Sequence, residues 1–435
     1  MRARRLYMFV VPLVCALAWE MTAKPCWGQT PQQLTLPEAE QIVIKNHPQV
    51  QAATQLASAA VAQVREARSI YFPQAYGSVT GVEAENNSRI AAGTLNNSII
   101  YNRLADGITV NQLVTDFGRT HELVKSSNLH AKAQQESVTA TRADVLLAVN
   151  QAYFAALKAQ AVLQVAEQTV KSRQLVADQT SALQQNNLKS GLDVSFANVD
   201  LAQAQLLLIQ SRNDVQASFA ELSSALGYSD QRTFQLADVS LPAPPPLDVT
   251  PLLQEALQNR PELIRQGFDV KSAESFATAE RDLWFPTISA AGATGLIPYR
   301  EDTLSSRYAA AGVNVNIPIF NGGLFTARHT EANSQARAQQ QFLRDLQDRI
   351  VRDVRVAWLN AGSAFQRLSV TQQLLNEATQ SFDLAQSRYS LGLSSIIELS
   401  QAQLNLTQAE IQKVSAQYDY EGQIANLNYQ LGRMQ

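Results

Sequence analysis

The chain has 435 residues, with 35 Lys and Arg against 38 Asp and Glu, a formal charge of -3, and two cysteines. This mild acidity argues against a nucleic-acid partner, whose phosphates favour a basic footprint. Both cysteines, Cys15 and Cys26, fall among the first 28 residues, so a chain that loses them has no disulfide, thiol chemistry or cysteine-ligated metal.

Residues 1–28 read as a secretory signal peptide. Arg2, Arg4 and Arg5 precede an apolar run over 6–19 that is too short to span a bilayer comfortably. Small residues at Cys26 and Gly28 suit cleavage after Gly28. Val14 before Cys15 and Pro25 before Cys26 stand where a lipoprotein wants a small residue, so a lipid anchor is not expected. Removal takes Arg2, Arg4, Arg5, Lys24 and Glu20 with it, which moves the net charge from -3 to -6. No later stretch approaches 18 uninterrupted apolar residues, and no inner-membrane helix is expected.

A helix is expected over 37–71, ending at Tyr71-Phe72-Pro73, because proline lacks the donor that the next turn needs. A weak small-residue strand follows at 76–84, then a polar loop over 85–103 and a strand at 104–113 that alternates less cleanly, Ile108 and Val110 against Thr109 and Asn111. Between Gly118 and Gly191 there is neither proline nor glycine. That run is rich in Ala, Gln, Leu, Val and Lys, and at about 1.5 Å per residue it makes a rod of roughly 105 Å. Apolar residues recur in it at three- and four-residue steps, through Val145, Val149, Ala152, Ala156, Ala159, Leu163 and Ala166. Such a rod needs neighbours, as a coiled coil or a tubular bundle. The run Ser240-Leu241-Pro242-Ala243-Pro244-Pro245-Pro246 then reads as a stiff extended linker.

The same series returns. A helix is expected over 250–284, ending at Trp284-Phe285-Pro286, then a strand at 287–296, a polar loop over 298–307 and a strict alternation from Gly312 to Ile317. Residues 110–227 align on 315–432 without a gap at a shift of 205, and Asn46-His47-Pro48 aligns on Asn259-Arg260-Pro261 at a shift of 213. This is a tandem duplication: a first repeat over 29–241, a Pro-rich linker over 242–250 and a second repeat over 251–435. Val313, Val315, Ile317 and Ile319 face away from Asn314 and Asn316, which fits a wall between lipid and water. Four strands, however, cannot close a barrel.

Two motifs carry a family resemblance. Gln112-Leu113-Val114-Thr115-Asp116-Phe117-Gly118-Arg119 and Ile317-Pro318-Ile319-Phe320-Asn321-Gly322-Gly323-Leu324 resemble a strand-to-helix passage of the form PLFDxGR, with Asp116 and Asn321 as natural N-caps. The first copy lacks the proline and the second the arginine. Arg388-Tyr389-Ser390-Leu391-Gly392-Leu393-Ser394-Ser395-Ile396-Ile397-Glu398-Leu399 resembles the RYxxGLxSxxDVLxAQ helical turn, and the first copy reads Asn187-Leu188-Lys189-Ser190-Gly191-Leu192-Asp193-Val194. Gly392 aligns with Asn187, both tolerant of a left-handed backbone. With the duplication and the strand pairs, these motifs resemble the TolC-type outer-membrane efflux proteins over essentially the whole mature chain.

The resemblance implies a mainly helical fold with β-structure. Its long, internally duplicated helical hairpins form a periplasmic α-barrel, and four strands per chain contribute to a twelve-stranded β-barrel in a homotrimer embedded in outer-membrane lipid. It implies passive export, served by a periplasmic adaptor and an inner-membrane pump, with adaptors docking on the tips at Asn187, Leu188, Ser190, Gly392, Leu393 and Ser395. It also implies a periplasmic gate. Glu398 takes the first acidic position, while Gln401 and Ser394 replace charged lock residues. Tyr389 and Asp193 match a locking pair. The alternative is a periplasmic or surface coiled-coil interaction protein, which accounts for the rods but not for strand pairs placed identically in both repeats. Multidrug efflux, metal efflux and type I secretion share this outer component and stay open. His47, His121, His130 and His329 share no metal-ligand spacing, and no catalytic motif or cofactor loop stands out, so neither an enzyme nor a cofactor is expected.

Overall fold

A computed structural model describes residues 33–85, 88 and 99–434. The expected signal peptide and most of the 85–103 loop lie outside the described residues.

The chain opens on a two-residue strand β1 (Gln33–Leu34) and helix α1 (Leu36–Asn46). Thr35 caps α1 through a reciprocal box with Glu38, which satisfies two of the helix's orphan amides. The single helix expected over 37–71 is two: α1 stops at His47 and α2 runs Pro48–Ser69. Proline pushes its predecessor out of the helical region, and His47 sits at φ -69°, ψ 127°. The second repeat breaks identically. There α5 (Thr250–Asn259) ends before Arg260, at φ -67°, ψ 119°, and α6 (Pro261–Arg281) follows.

Strands β2 (Gln74–Val82) and β3 (Arg103–Thr115) lead into α3 (Arg119–Gln185), a tip turn and α4 (Gly191–Ala225). After β4 (Gln235–Leu236), which pairs in parallel with β1, the second repeat supplies β5 (Thr287–Arg300), β6 (Arg307–Asn316), α7 (Leu324–Ser390) and α8 (Ile396–Gln430). Both long helices are 67 residues, roughly 100 Å. The β5–β6 connection is shorter than expected, because β5 runs through Pro298 to Arg300. The expected stripe past Val315 leaves β6 at Asn316, so Ile317 and Ile319 belong to the exposed segment leading to α7.

The four barrel strands form one antiparallel sheet in the order β2-β3-β5-β6. Paired residues share a face. Register therefore sets Val79, Leu104, Ile108, Val110, Leu296, Val313 and Val315 on one side, and Ser78, Thr109, Asn111, Ser289, Asn314 and Asn316 on the other. Asp106, Gln112, Thr294 and Arg307 are polar exceptions on the apolar side. On the polar side the Tyr308 side chain lies across Gly295 and Gly107, where an added methyl group would meet its ring at Gly295, 2.6 Å away, and its hydroxyl at Gly107. The sheet's outer edges, β2 and β6, have no further strand partner among the described residues.

The helices form a layer. Helix α3 packs between α2 and α4 on one side and α6 and α8 on the other, and α7 covers the far side of α6 and α8. The short helices stack end to end. The left-handed Gly227 after α4 meets the α1–α2 break, its would-be Cβ 3.3 Å from His47 Cα. Its repeat mate Gly432 meets the α5–α6 break, 2.9 Å from the Asn259 carbonyl. The two duplicated sequence signatures thus pack on each other.

One large core gathers Val43, Val149, Tyr153, Phe219, Leu222 and Leu226, and a second gathers Ala256, Ile350, Val354, Leu427 and Leu431. The proline-rich linker is strapped across them. Trp358 donates to Pro246 at 2.7 Å and Tyr420 to Ala243 at 2.6 Å, while Tyr153 holds the neighbouring β1–β4 pair through the Leu34 and Ala237 carbonyls. Tyr153 and Trp358 are repeat mates. By length and mean hydropathy, segments of α3 and α4 could each cross a bilayer. The criterion of uninterrupted apolar residues misses them because polar side chains are interspersed. In the fold α3 is packed by neighbours on both flanks.

Candidate functional site: the hairpin tips and their tie

Both hairpins end in the same C-cap. In the first, Leu188 N donates to the Leu183 carbonyl and Asn187 N to Gln184, with Asn187 at φ 57°. In the second, Leu393 N donates to Arg388 and Gly392 N to Tyr389, with Gly392 at φ 73°. This six-to-one and five-to-two pairing is the Schellman motif, which needs a left-handed residue, hence Asn or Gly. Ser190 and Ser395 then cap α4 and α8 through their hydroxyls. The turns leave Leu188, Leu192, Leu391, Leu393 and Ile397 at least 58 % exposed, a cluster of apolar side chains at one end of the rods that demands a partner surface.

The residues expected at the gate divide. Asp193 closes a capping box, accepting from Ser190 N at 3.0 Å and from its hydroxyl at 2.8 Å. Those bonds hold its carboxyl below the usual range. No Tyr389–Asp193 bond forms within the protomer, and both cap bonds fall on one oxygen of the Asp193 carboxylate. Tyr389 instead lies 3.5 Å from the Thr180 hydroxyl, with the Lys189 ammonium 4.0 Å above its ring. Glu398 pairs with Arg388 at 3.2 Å, both about half exposed. Gln401 bonds Asn405, and the buried Ser394 hydroxyl has no partner among the described residues.

The contact that joins the hairpins lies deeper. Arg173 of α3 is 6 % exposed and reaches Asp200 of α4 at 3.4 Å and the Gln403 side chain of α8. Ser400 of α8 donates to the same Asp200 carboxylate. Burial lowers the Arg173 pKa while Asp200 opposes it. Beside this tie Val176, Ala177, Ala197, Ile396, Leu399 and Ala402 form a small core. Sequence reading missed these residues because a lone Arg in a polar rod looks like surface. The one available signal was that charge is sparse along α3.

The strand-to-helix passages also differ in detail from expectation. Asp116 and Asn321 are not N-caps by position. They act from two residues upstream, Asp116 accepting from Thr120 N at 2.8 Å and Asn321 from Phe325 N at 3.5 Å, while Gly118 and Gly323 take the cap positions in left-handed conformation. Glu280, 2 % exposed, receives Arg119 of α3 at 3.8 Å and Arg328 of α7 at 2.8 Å. The arginine missing at Leu324 is thus supplied one turn later. Around this junction Tyr71, Phe72, Phe117, Trp284, Phe285 and Phe320 are all exposed. No cluster of metal-ligating side chains occurs among the described residues.

This geometry agrees with comparison to known proteins. The chain is 22% identical over 391 residues to outer membrane protein TolC of Escherichia coli K12, covering 86% of this chain and 78% of that one. It is 24% identical over 374 residues to the cation efflux system protein CusC of Escherichia coli O157:H7, covering 80% and 76%. Its fold matches the outer membrane protein VceC of Vibrio cholerae with a TM-score of 0.78 at 16% identity, over 91% of this chain and 96% of that one. A family model described as outer membrane efflux protein matches residues 40–228 and 252–433. The chain therefore belongs to the outer membrane efflux protein family.

Proposed function

We propose that the protein is the outer-membrane channel of an export system, acting as a homotrimer that conducts solutes passively from a periplasmic adaptor and an inner-membrane pump to the exterior. The carrying observation is the open four-stranded sheet, apolar on one face and polar on the other, fused to unpartnered rods. Three copies joined through β2 and β6 give twelve strands and no free edge. The helical layer has matching open edges. Leu192, Val199 and Leu206 recur every seven residues on α4, and Phe342, Val356, Val370 and Leu384 every fourteen on α7; all are exposed in one chain. A strict seven-residue repeat specifies a coiled-coil neighbour, here the next protomer.

In this assembly the 85–103 and 298–307 connections face outward, residues 1–28 are removed on export, and the two repeats with their 242–250 linker each supply one hairpin to the tunnel. The leucine-rich tips dock the adaptor, and three Glu398–Arg388 pairs ring the periplasmic end. The second reading, a soluble coiled-coil interaction protein, leaves the apolar sheet face in water. The test is the mass of the protein extracted from membranes in mild detergent, together with its conductance in a planar bilayer. A trimer with stepwise current is expected. A monodisperse monomer that stays soluble without detergent refutes the channel.

A further inference from the structure

On α3, α7 and α8 the side chains that hold the β1–β4 pair and the linker and those that line a groove lie on different faces. At about 100° per residue, Arg367 lies about 180° from Trp358 and Lys158 about 140° from Tyr153, while Asp419 lies about 100° from Tyr420. The groove has a volume of about 690 Å³ and is lined by carboxamides and hydroxyls, among them Gln151, Asn360 and Ser363, with α8 as its floor. Because α8 is flanked by α3 and α7 of the same chain, the groove is not at an edge that a neighbouring protomer covers. The strap, α1 and α5 pack on the other side of the layer, so in a closed tunnel the groove face is the interior.

Its charge is asymmetric. The Asp419 carboxylate holds Lys158 at 2.9 Å on one oxygen and Arg367 at 3.8 Å on the other. These are the groove's charged groups: two cations share one anion, leaving one net positive charge per protomer. Both cations are more than a third exposed, so a solute can reach them. A threefold ring of such charge in a confined polar space concentrates anions, and the volume suits an organic solute rather than a single ion.

We infer that this groove is a contact site for organic anions in transit, carboxylates or sulfonates whose polar bodies hydrogen-bond the carboxamides. The inference deepens the channel reading and rests on it. The probe is citrate, added while current through the purified trimer is recorded in a planar bilayer. Citrate is expected to block the wild-type channel, and the Lys158→Gln/Arg367→Gln double variant to weaken that block at least about threefold. Asp419→Asn frees both cations and is expected to tighten the block, whereas a purely structural role for Asp419 predicts loosening. Steady current with a citrate block that neither substitution alters, or that Asp419→Asn weakens, overturns the inference and leaves the channel standing. A correctly inserted protein that carries no current overturns both.

Discussion

Replacing Asp200 by Asn should loosen the joint between the two hairpins without touching either tip. The change keeps the side chain's shape and the Ser400 hydrogen bond, and it removes the charge facing Arg173 at 3.4 Å. Breaking a buried pair by deleting one partner costs about 3–5 kcal/mol. Asp200 retains 19% side-chain exposure and the contact is single rather than bidentate, so the lower end, about 3 kcal/mol, applies. At about 1.4 kcal/mol per tenfold, amide exchange in the first half of α8, measured by mass spectrometry on the detergent-solubilised protein, should accelerate by about two orders of magnitude. Exchange around Ile350 and Val354, in the separate core beneath the strap, should be unaffected. Arg173→Met removes the buried charge and fills its place with apolar volume, so it should cost less. In that background Asp200→Asn should lose most of its effect, because coupled residues are not additive. Equal acceleration by Asp200→Asn with and without Arg173 would refute the tie.

Four further outcomes follow from the same geometry. Leu393→Asp should abolish export and adaptor crosslinking while trimer and barrel assemble normally, because Leu393 is 67% exposed at the turn; normal crosslinking would make the tip a mere hairpin closure. Glu398→Ala should lower cation preference and relieve block by multivalent cations in bilayer recordings, and unchanged selectivity would place the constriction elsewhere. Gly432→Ala should destabilise more than Gly227→Ala in thermal melts. Both pay about 1–2 kcal/mol for a left-handed alanine, but at Gly432 the new methyl meets backbone at 2.9 Å rather than 3.3 Å. Finally, burial raises the pKa of Glu421 from 4.5 to about 7, with repulsion from Asp238 adding to it. The native state then holds that proton more tightly than the unfolded chain. This contribution is full below pH 4.5 and is lost as pH rises toward 7. Glu421→Gln should flatten the corresponding fall in melting temperature over that window, and an unchanged slope would assign it to another group.

The duplication carried much of this architecture on its face. At a shift of 205, Phe117 falls on Gly322, Gly118 on Gly323, Asn187 on Gly392 and Gly227 on Gly432, and all eight have positive φ. Backbone handedness is a local property, so a residue pattern of Gly and Asn at matched offsets reveals it at every one of these positions but Phe117. The proline-free runs, the period-two alternation and the tip turns were legible for the same reason. The break at His47 was equally written in the following proline, although helical composition on both sides masked it. What the sequence left undetermined is which distant polar groups meet. Asp193 matched a locking acid by position, yet its bonds go to its own cap three residues upstream, since a local bond costs less ordering than a distant one. Arg173, Asp200, Ser400 and Gln403 come from three helices, and only the packing of α3 against α8 desolvates them together. The linker read as a stiff extended spacer, and the Tyr420 hydroxyl with the indole of Trp358 make it a strap. Local geometry follows from residue identity and spacing, whereas the ties that set how the hairpins move depend on burial, which exists only once the rods lie side by side.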